Sequence, residues 1–268
     1  MTEQKTPYRK PTNQTLTNVG YIHQQPELRF SSNGKAMLFL SIGIDNSYSV
    51  KNADGSYSDE RKGQTDWFNA TAWGYLAEKL AELPLEGATV GFDFKLGASE
   101  WVDNDGNDRT TQSLNLSNLW VIETRPSLAD GSGTKYLKPL PQPMVANGYI
   151  HRAPEIKQTD NGTTLASFSV ALDNTYPMKD ADGNFTGERG GTSDWFNCVA
   201  WDRVAERISQ FDLEKQNVGF RFKLKKNYWT DPTTDSKREA AQLVIEDLWV
   251  INTRPAESDS NSMDDDDI

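Results

Sequence analysis

The sequence has few of the residues that disulfide-bonded, metal-binding or membrane-spanning proteins need. Its 268 residues include one cysteine, Cys198, and two histidines. Neither an intramolecular disulfide nor a zinc site built from Cys and His ligands is therefore expected. No apolar run approaches the roughly 20 residues that cross a bilayer, and residues 1–18 have no apolar segment of the signal-peptide kind. The sequence predicts a cytoplasmic protein without metal, cofactor or membrane contact.

Positive charge is also scarce. The chain has 28 basic and 39 acidic residues, for a net charge of −11. Six of the acidic residues lie in residues 256–268, which contain no basic residue, so the rest of the chain is only mildly acidic. This composition argues against a protein that holds nucleic acid by phosphate neutralisation alone. It does not exclude binding by the stacking of bases on aromatic side chains.

What the sequence does contain is an internal duplication. "GYIHQQPEL" at Gly20 corresponds to "GYIHRAPEI" at Gly148, and "QTDWFNATAW" at Gln64 corresponds to "TSDWFNCVAW" at Thr192. The offset is 128 residues and becomes 129 before the matched "LWVIETRP" and "LWVINTRP", and all eight tryptophans fall in four matched pairs. Two copies of domain size favour a tandem pair over a solenoid.

A Gly- and Pro-rich segment separates the copies and is typical of a linker. The predicted organisation is an N-terminal arm (1–17), a first domain (18–126), a linker (127–143), a second domain (144–255) and an acidic disordered tail (256–268).

Each copy is predicted to be mostly β-strand. Leu38, Leu40 and Ile42 alternate with more polar or smaller neighbours, which indicates a strand with one buried face. "NADGSY" and "DADGNF" contain the Asp-Gly pair of tight turns. After the third strand the period becomes helical, through Leu76, Ala77, Leu80 and Leu83 in one copy and Val204, Ala205, Ile208 and Phe211 in the other. The fold class is therefore all-β with one short helix per domain: two tandem five-stranded OB-fold barrels.

Strand alternation predicts which face the repeated tryptophans occupy. Trp67 and Trp73 share a face with Asn69, whereas Phe68 and the small residues around it share the other. Trp195 and Trp201 likewise oppose Phe196 and Cys198, and Cys198 is interpreted as a small buried hydrophobic residue. The tryptophans thus lie on the wetter face.

The fourth strand shows the same division. Val90, Phe92, Phe94 and Leu96 are predicted to point inward, and Gly91, Asp93 and Lys95 outward; in the second copy Gly219, Arg221, Lys223 and Lys225 point outward. A face that combines Trp with Lys and Arg is typical of a stacking platform beside a charged track. A strand aromatic more often packs, and Trp120 and Trp249 are interpreted as packing or subunit contacts.

Three segments resemble the bacterial single-stranded-DNA-binding protein family. They are "PELRFSSNGKAMLFLSIGID" at Pro26, "ADGSYSDER" at Ala53 and "TDWFNATAWGYLAEKL" at Thr65. The resemblance covers nearly all of both repeats. It implies base stacking at four aromatic positions in each repeat: Tyr48, Trp67, Trp73 and Trp101, and Tyr176, Trp195, Trp201 and Trp229. The expected phosphate contacts are Lys95, Arg109, Arg221, Lys223, Lys225 and Lys226.

The resemblance also implies an assembly and a partner site. Tandem members of the family reach four OB domains as homodimers, and their acidic C-terminal tip recruits replication and repair proteins. In this chain the tip corresponds to Asp264, Asp265, Asp266, Asp267 and Ile268, and it departs from the family pattern in having no Pro and no terminal Phe. The expected function is sequence-independent binding that protects single-stranded DNA in replication, repair and recombination, in a nucleoid-associated cytoplasmic setting.

The enzyme class finds no support. His23 and His151 occupy matched strand positions without a nucleophile motif or a carboxylate pair, and "DNDGND" at Asp103 reads as an Asp-rich turn rather than a calcium loop. The alternative is an OB-fold adaptor that binds protein or oligosaccharide, because the fold alone permits it. Between the repeats, the second is predicted to bind DNA more tightly, since Arg221, Lys223 and Lys225 add positive charge there.

Overall fold

The computed structural model describes residues 14–102, 106, 108–124, 143–180, 182–232, 235 and 237–252. Two repeats of one architecture occupy these ranges. No helix in them has the length and apolar character that crossing a bilayer requires.

The first repeat contains eight strands and one helix. They are β1 (Leu16–Ile22), β2 (Leu28–Phe30), β3 (Ala36–Asp45), β4 (Tyr48–Lys51), β5 (Tyr57–Lys62), β6 (Thr65–Trp73), α1 (Tyr75–Ala81), β7 (Ala88–Val102) and β8 (Asp108–Thr124). Strand β1 begins at Leu16, two residues before the predicted start of the first domain.

The second repeat has the same order of elements. They are β9 (Met144–Ile150), β10 (Glu155–Gln158), β11 (Thr164–Asp173), β12 (Tyr176–Lys179), β13 (Phe185–Gly190), β14 (Ser193–Trp201), α2 (Asp202–Ile208), β15 (Gln216–Thr230) and β16 (Lys237–Asn252). The segment between β15 and β16 is one residue longer than the one between β7 and β8, which accounts for the change of offset in the sequence.

Five strands close a barrel in each repeat. In the first, the sheet order is β1-β7-β8-β6-β3, and β3 pairs back to β1. Strands β6 and β8 pair in parallel and the other pairs of the ring are antiparallel. Strands β9, β15, β16, β14 and β11 form the same ring in the second repeat. The predicted five-stranded OB barrels with one helix each are confirmed.

The barrel core follows the predicted alternation. Leu38, Ile42 and Ile44 of β3 are fully buried, as are Val90, Phe92 and Phe94 of β7. The equivalent inward positions of β11 and β15 are buried too. Cys198 of β14 lies in the same core, where burial raises the pKa of its thiol. Burial of large apolar side chains, at about 25 cal/mol per Å², is the main stabilising contribution to such a barrel.

The helices pack on the barrel through fewer residues than predicted. Ala77 and Leu80 of α1 are buried, and so are Ala205 and Ile208 of α2. The helices end at Ala81 and Ile208, so Leu83 and Phe211 lie beyond them, and both are exposed. The prediction that these two residues continue the buried helical stripe is wrong, because the chain has already turned toward the next strand.

The two repeats contact each other across an approximate two-fold junction. The Asn46 side-chain amide donates to the carbonyl oxygen of Leu224 at 2.9 Å, and the matched Asn174 amide donates to the carbonyl oxygen of Leu96 at 2.9 Å. Each asparagine also donates to a carboxylate of its own repeat, Asp66 or Asp194. Nothing in the sequence analysis predicted this junction.

Candidate nucleic-acid interface

The outer face of each barrel, meaning the side of β3–β6 or β11–β14 turned away from the core, carries the repeated tryptophans. Trp73, Trp195 and Trp201 are each between 42% and 48% exposed, whereas Phe68 and Phe196 on the opposite side of the same strands are buried. The predicted division of β6 and β14 into a core face and an aromatic outer face is confirmed for these residues. Thr71 and Val199, which alternation places beside the tryptophans on the wetter face, are instead buried.

Trp67 is the least accessible of the four. Its ring centroid lies 5.3 Å from that of Tyr21 and 6.2 Å from that of His23, and its side chain is half-buried. Trp195 has an edge contact with His151 at 6.3 Å and keeps 48% of its surface exposed. The ring at this position is therefore more accessible in the second repeat than in the first.

Lys35 places a cation above Trp73. Its Nζ atom lies 5.2 Å from the centre of the indole ring, within the range of a cation–π interaction. This position brings a positive charge next to a partly exposed indole ring in the first repeat. No motif or repeat pairing in the sequence marks Lys35 as a site residue.

The small hairpins β4–β5 and β12–β13 carry Tyr48 and Tyr176, which are 56% and 59% exposed. Each hairpin also presents a second exposed aromatic, Tyr57 or Phe185, that sequence reasoning missed. These two residues occupy matched positions after the Asp-Gly turns, so the repeat pairing could have revealed them.

An arginine fixes the base of each hairpin. Arg61 donates to the Ser47 carbonyl and hydroxyl oxygens and lies 3.7 Å from the Asp45 carboxylate. Arg189 donates in the same way to the hydroxyl and carbonyl oxygens of Thr175. These bonds join the second strand of each hairpin to the segment that leads into its first strand.

The β7–β8 and β15–β16 hairpins carry the fourth predicted aromatic pair. Trp101 pairs with Arg109 in the strand register, as Trp229 pairs with Arg238. Trp229 is 43% exposed. The side chains of Trp101 and Arg109 lie outside the described residues.

The predicted phosphate-binding cations of the second repeat are mostly ion-paired. Glu246 lies 3.7 Å from Arg221 and 2.6 Å from Lys223, while Lys226 pairs with Glu239 and is largely buried. Within the described part of the chain, Lys225 has no carboxylate partner, and in the first repeat Lys95 is exposed. The accessible positive charge on β15 is thus smaller than its sequence suggests.

A cleft of about 610 Å³ lies where the first repeat's hairpin meets β15 of the second. Tyr48, Tyr57 and Arg61 line it from one repeat, and Lys223 and Lys225 line it from the other. Aromatic and cationic groups from both repeats therefore face one space, which suits a ligand that combines flat rings with negative charge.

Tyr228 ties β15 to the first repeat beside this cleft. Its hydroxyl donates to the buried Asp66 carboxylate at 3.2 Å. Nearly half of the Tyr228 side chain is exposed, but its hydroxyl is desolvated at the junction, and this burial together with the Asp66 charge raises the pKa of Tyr228 to about 12. The raised pKa extends the range in which the hydroxyl is protonated and can donate to Asp66 into alkaline pH.

The last tryptophan pair, Trp120 and Trp249, was predicted to make packing or subunit contacts. Trp120 and Trp249 lie on the outer faces of β8 and β16, 40% and 43% exposed. Their indoles cover Gly91 and Gly219, where an added Cβ atom would come within 2.3 Å of the ring, so these outward glycines are covered rather than open. Residues Asp264 to Ile268 of the tail lie outside the described residues. The described side chains contain no cluster of three or more His, Cys, Asp or Glu that could hold a metal ion.

Two curated relatives of this chain are both single-stranded DNA-binding proteins. A curated single-stranded DNA-binding protein of Deinococcus radiodurans is 26% identical over 202 residues, which are 75% of this chain and 56% of that protein. Single-stranded DNA-binding protein 1 of Chlorobaculum tepidum is 27% identical over 107 residues, 40% of this chain and 62% of that protein. The chain thus spans less than two thirds of the length of either relative.

Solved structures show the same fold. The wild-type single-stranded DNA-binding protein of Thermus aquaticus superposes with a TM-score of 0.63 at 15% identity, over 93% of this chain and 98% of that one. A deletion variant of the Thermus aquaticus protein gives a TM-score of 0.64 at 15% identity, over 92% of this chain and 98% of that one. At this identity the likeness concerns the fold alone.

The family model for the single-strand binding proteins matches residues 13–122 and again residues 142–251. The family and both curated relatives are DNA-binding proteins rather than enzymes, in agreement with the prediction for this chain. Since the two matches together take in most of the sequence, the chain belongs to the single-strand binding protein family, with one family domain in each repeat.

Proposed function

We propose that the protein binds single-stranded DNA without sequence specificity overall and protects it during replication, repair and recombination. The observation that carries the proposal is the set of exposed tryptophans that both repeats present on the outer face of a closed barrel. Base stacking on an aromatic contributes about 1–3 kcal/mol per base and tolerates any sequence. Binding of this kind needs no strongly basic surface, which suits an acidic chain.

Phosphate contacts would supplement the stacking. Arg61 and Lys225 line the cleft together with the exposed Tyr48 and Tyr57, so this cleft offers a passage between the repeats, and Lys95 is exposed on β7. A bound strand that followed this cleft would meet platforms of both repeats in succession.

Tryptophan fluorescence tests the proposal directly. Titration with oligo-dT at low and moderate salt is expected to quench the emission strongly, while duplex DNA of equal length is expected to quench it little. Equal quenching by duplex, or none by the single strand, would overturn the proposal and favour an adaptor for other ligands.

We further propose that the chain forms a homodimer with four OB domains. Trp120 and Ile122 on β8, and Trp249 and Ile251 on β16, expose matched apolar surface that a second copy would cover. Replacing both tryptophans with glutamate is expected to give monomers in analytical ultracentrifugation, with far-UV circular dichroism as the folding control. A dimer that persists would place the contact elsewhere.

The acidic tail is proposed to recruit replication and repair proteins. Deleting residues 263–268 is expected to leave DNA affinity unchanged or slightly higher, because an acidic tail competes with DNA for basic groups. Pull-downs with and without these residues would test recruitment itself. Loss of DNA binding on deletion would contradict the proposed role.

A further inference from the structure

The outer faces of the two repeats differ most at one position. Eight pairs of matched residues make up these faces: Met37 and Leu165, Phe39 and Ser167, Ser41 and Ser169, Gly43 and Ala171, Trp67 and Trp195, Asn69 and Asn197, Thr71 and Val199, and Trp73 and Trp201. Only the exchange of Phe39 for Ser167 removes a whole aromatic ring. Phe39 is 48% exposed and lies opposite Thr71 in the strand register.

A pocket of about 410 Å³ lies at Ser167 in the second repeat. We call it the Trp195 pocket; His151, Arg152, Glu155, Ser167, Ser169 and Trp195 are among its lining residues. Its volume falls in the range of pockets that hold small organic ligands. The segment before β10 and the strands β11 and β14 form its walls, and Trp195 places the pocket on the same outer face as Trp201.

The lining has one flat wall and one polar edge. The Trp195 indole is half-exposed, and the His151 ring meets it edge-on at 6.3 Å. On the polar side, Ser169 donates weakly to Asn197 at 3.5 Å, and the Glu155 carboxylate is paired with Lys157 at 2.7 Å. Serine hydroxyls can both donate and accept, so they can bond to the edge of a planar heterocycle whose face lies on the indole.

We propose that the Trp195 pocket holds one base of the bound strand and bonds to its edge through Ser167 and Ser169, so that the second repeat distinguishes between bases. In the first repeat Phe39 occupies the position of Ser167, so that face keeps only the Ser41 hydroxyl, which matches Ser169, and has a ring where the second repeat has the pocket. This inference rests on the proposed binding of single-stranded DNA. It divides the protein into a first repeat with the weaker preference among bases and a second repeat with the stronger one.

The test compares homopolymers on the full chain. Affinities for dT, dA and dC oligonucleotides of one length are measured for the wild type and for Ser167→Leu, which fills the pocket without adding an aromatic face. We expect the preferred homopolymer to lose about fivefold or more in affinity, and the ratios among homopolymers to move toward those of stacking alone. Because each ratio is compared between two proteins, the self-stacking of the free strands cancels.

The matched control is Phe39→Leu, which puts the same residue at the equivalent position of the first repeat. It is expected to lower the affinity for every homopolymer by the same factor and so to leave the affinity ratios unchanged. A second variant, Ser167→Ala with Ser169→Ala, keeps the pocket open and removes its hydroxyls. It is expected to bring the affinities for the homopolymers closer together, with a smaller loss of affinity than Ser167→Leu causes.

The outcomes separate the two proposals. Wild-type protein that binds no single strand would overturn the proposed function. Wild-type binding with ratios that Ser167→Leu leaves unchanged, or that Phe39→Leu changes equally, would overturn the Trp195 pocket alone.

Discussion

The last two barrel strands of each repeat, β7 and β8 in the first and β15 and β16 in the second, differ in the number of charged residues. Their net charge at the differing positions is nearly the same. At the positions that differ most, the first repeat has Asp93, Lys95, Gly97 and Ala98 on β7 and Thr110, Ser117 and Asn118 on β8. In the second, the equivalent residues are Arg221, Lys223, Lys225 and Lys226 on β15 and Glu239, Glu246 and Asp247 on β16. Most of the added cations pair with the added carboxylates. Added positive charge in a sequence therefore does not equal added positive surface.

The difference that persists between the repeats concerns aromatic access. Trp67 is partly covered by Tyr21, whereas Trp195 is open and stands beside a pocket. If the second repeat binds more tightly, as its sequence predicts, we expect the cause to be stacking more than charge.

The largest expected effect comes from removing the platforms of one repeat at a time. Trp195→Ala with Trp201→Ala should cost more affinity for oligo-dT than Trp67→Ala with Trp73→Ala, at about 1–3 kcal/mol for each base that loses its platform. Isothermal titration calorimetry on both double variants measures the difference. Equal losses, or a greater loss in the first repeat, would contradict the ranking by access.

The junction offers a second comparison, between its two matched asparagines. Asn46→Ala leaves the Leu224 carbonyl oxygen and the Asp66 carboxylate each without one donor, and Asn46 is buried whereas Asn174 is only half-buried. We expect Asn46→Ala to lower the free energy of unfolding by about 1–3 kcal/mol, and Asn174→Ala to lower it by less. Urea unfolding of both variants tests the order; a larger effect at Asn174 would contradict it.

The number of carboxylates on the last barrel strand can be lowered in the second repeat and raised in the first. Glu246→Gln frees Arg221 and Lys223 and should raise DNA affinity several-fold, with a salt slope steeper by about 0.7 for each new phosphate contact. The reciprocal Ser117→Glu places a carboxylate at the equivalent position of the first repeat and should lower affinity. Titrations at several salt concentrations give both slopes. If Glu246→Gln leaves the slope unchanged, the freed cations do not touch the strand.

The smallest expected effect is on pH-dependent stability. Hydrogen bonding from Arg207 holds the pKa of the Asp247 carboxyl below its usual value, and the matched Asn118 carries no charge. A lowered pKa stabilises the fold above the unfolded-state pKa of about 3.9, and this stability is lost as pH falls through the folded pKa. Because Asp247 is partly exposed, Asp247→Asn should cost under about 1 kcal/mol at pH 7.

Thermal melts of Asp247→Asn and wild type, at pH 7 and again at pH 2.5, check this prediction. The difference between the two proteins should shrink at the lower pH. A constant difference would mean that the amide disturbs packing rather than charge.

Within each repeat, the sequence predicted most of the fold. Strand alternation assigned Phe68 and Trp67 to opposite faces because neighbouring side chains in a strand point to opposite sides of the sheet. One of these two sides had to be buried. The duplication strengthened each assignment, since two different sequences had to satisfy one pattern. The position of the Asp-Gly turns followed from local backbone chemistry, and Gly55 and Gly183 do adopt positive φ angles of 87° and 86°.

Contacts between distant segments could not be predicted in this way. Asn46 bonds to the backbone carbonyl of Leu224, and a carbonyl group is present at every residue, so no side-chain pattern marks the partner. The pairing of Arg221 with Glu246 was missed for a related reason. A β-bulge shifts the register of β15 and β16 after Arg221, and simple alternation does not show which residues meet across such a shift.

The junction between the repeats has the symmetry of an isologous dimer, in which residue i meets residue j and residue j meets residue i. In a true homodimer every substitution occurs twice, so a change that improves one half of the binding surface is imposed on the other half as well. Fusing both halves into one chain removes that constraint. Phe39 and Ser167 can then coexist across the same symmetric framework, and one half can keep general affinity while the other is free to acquire preferences.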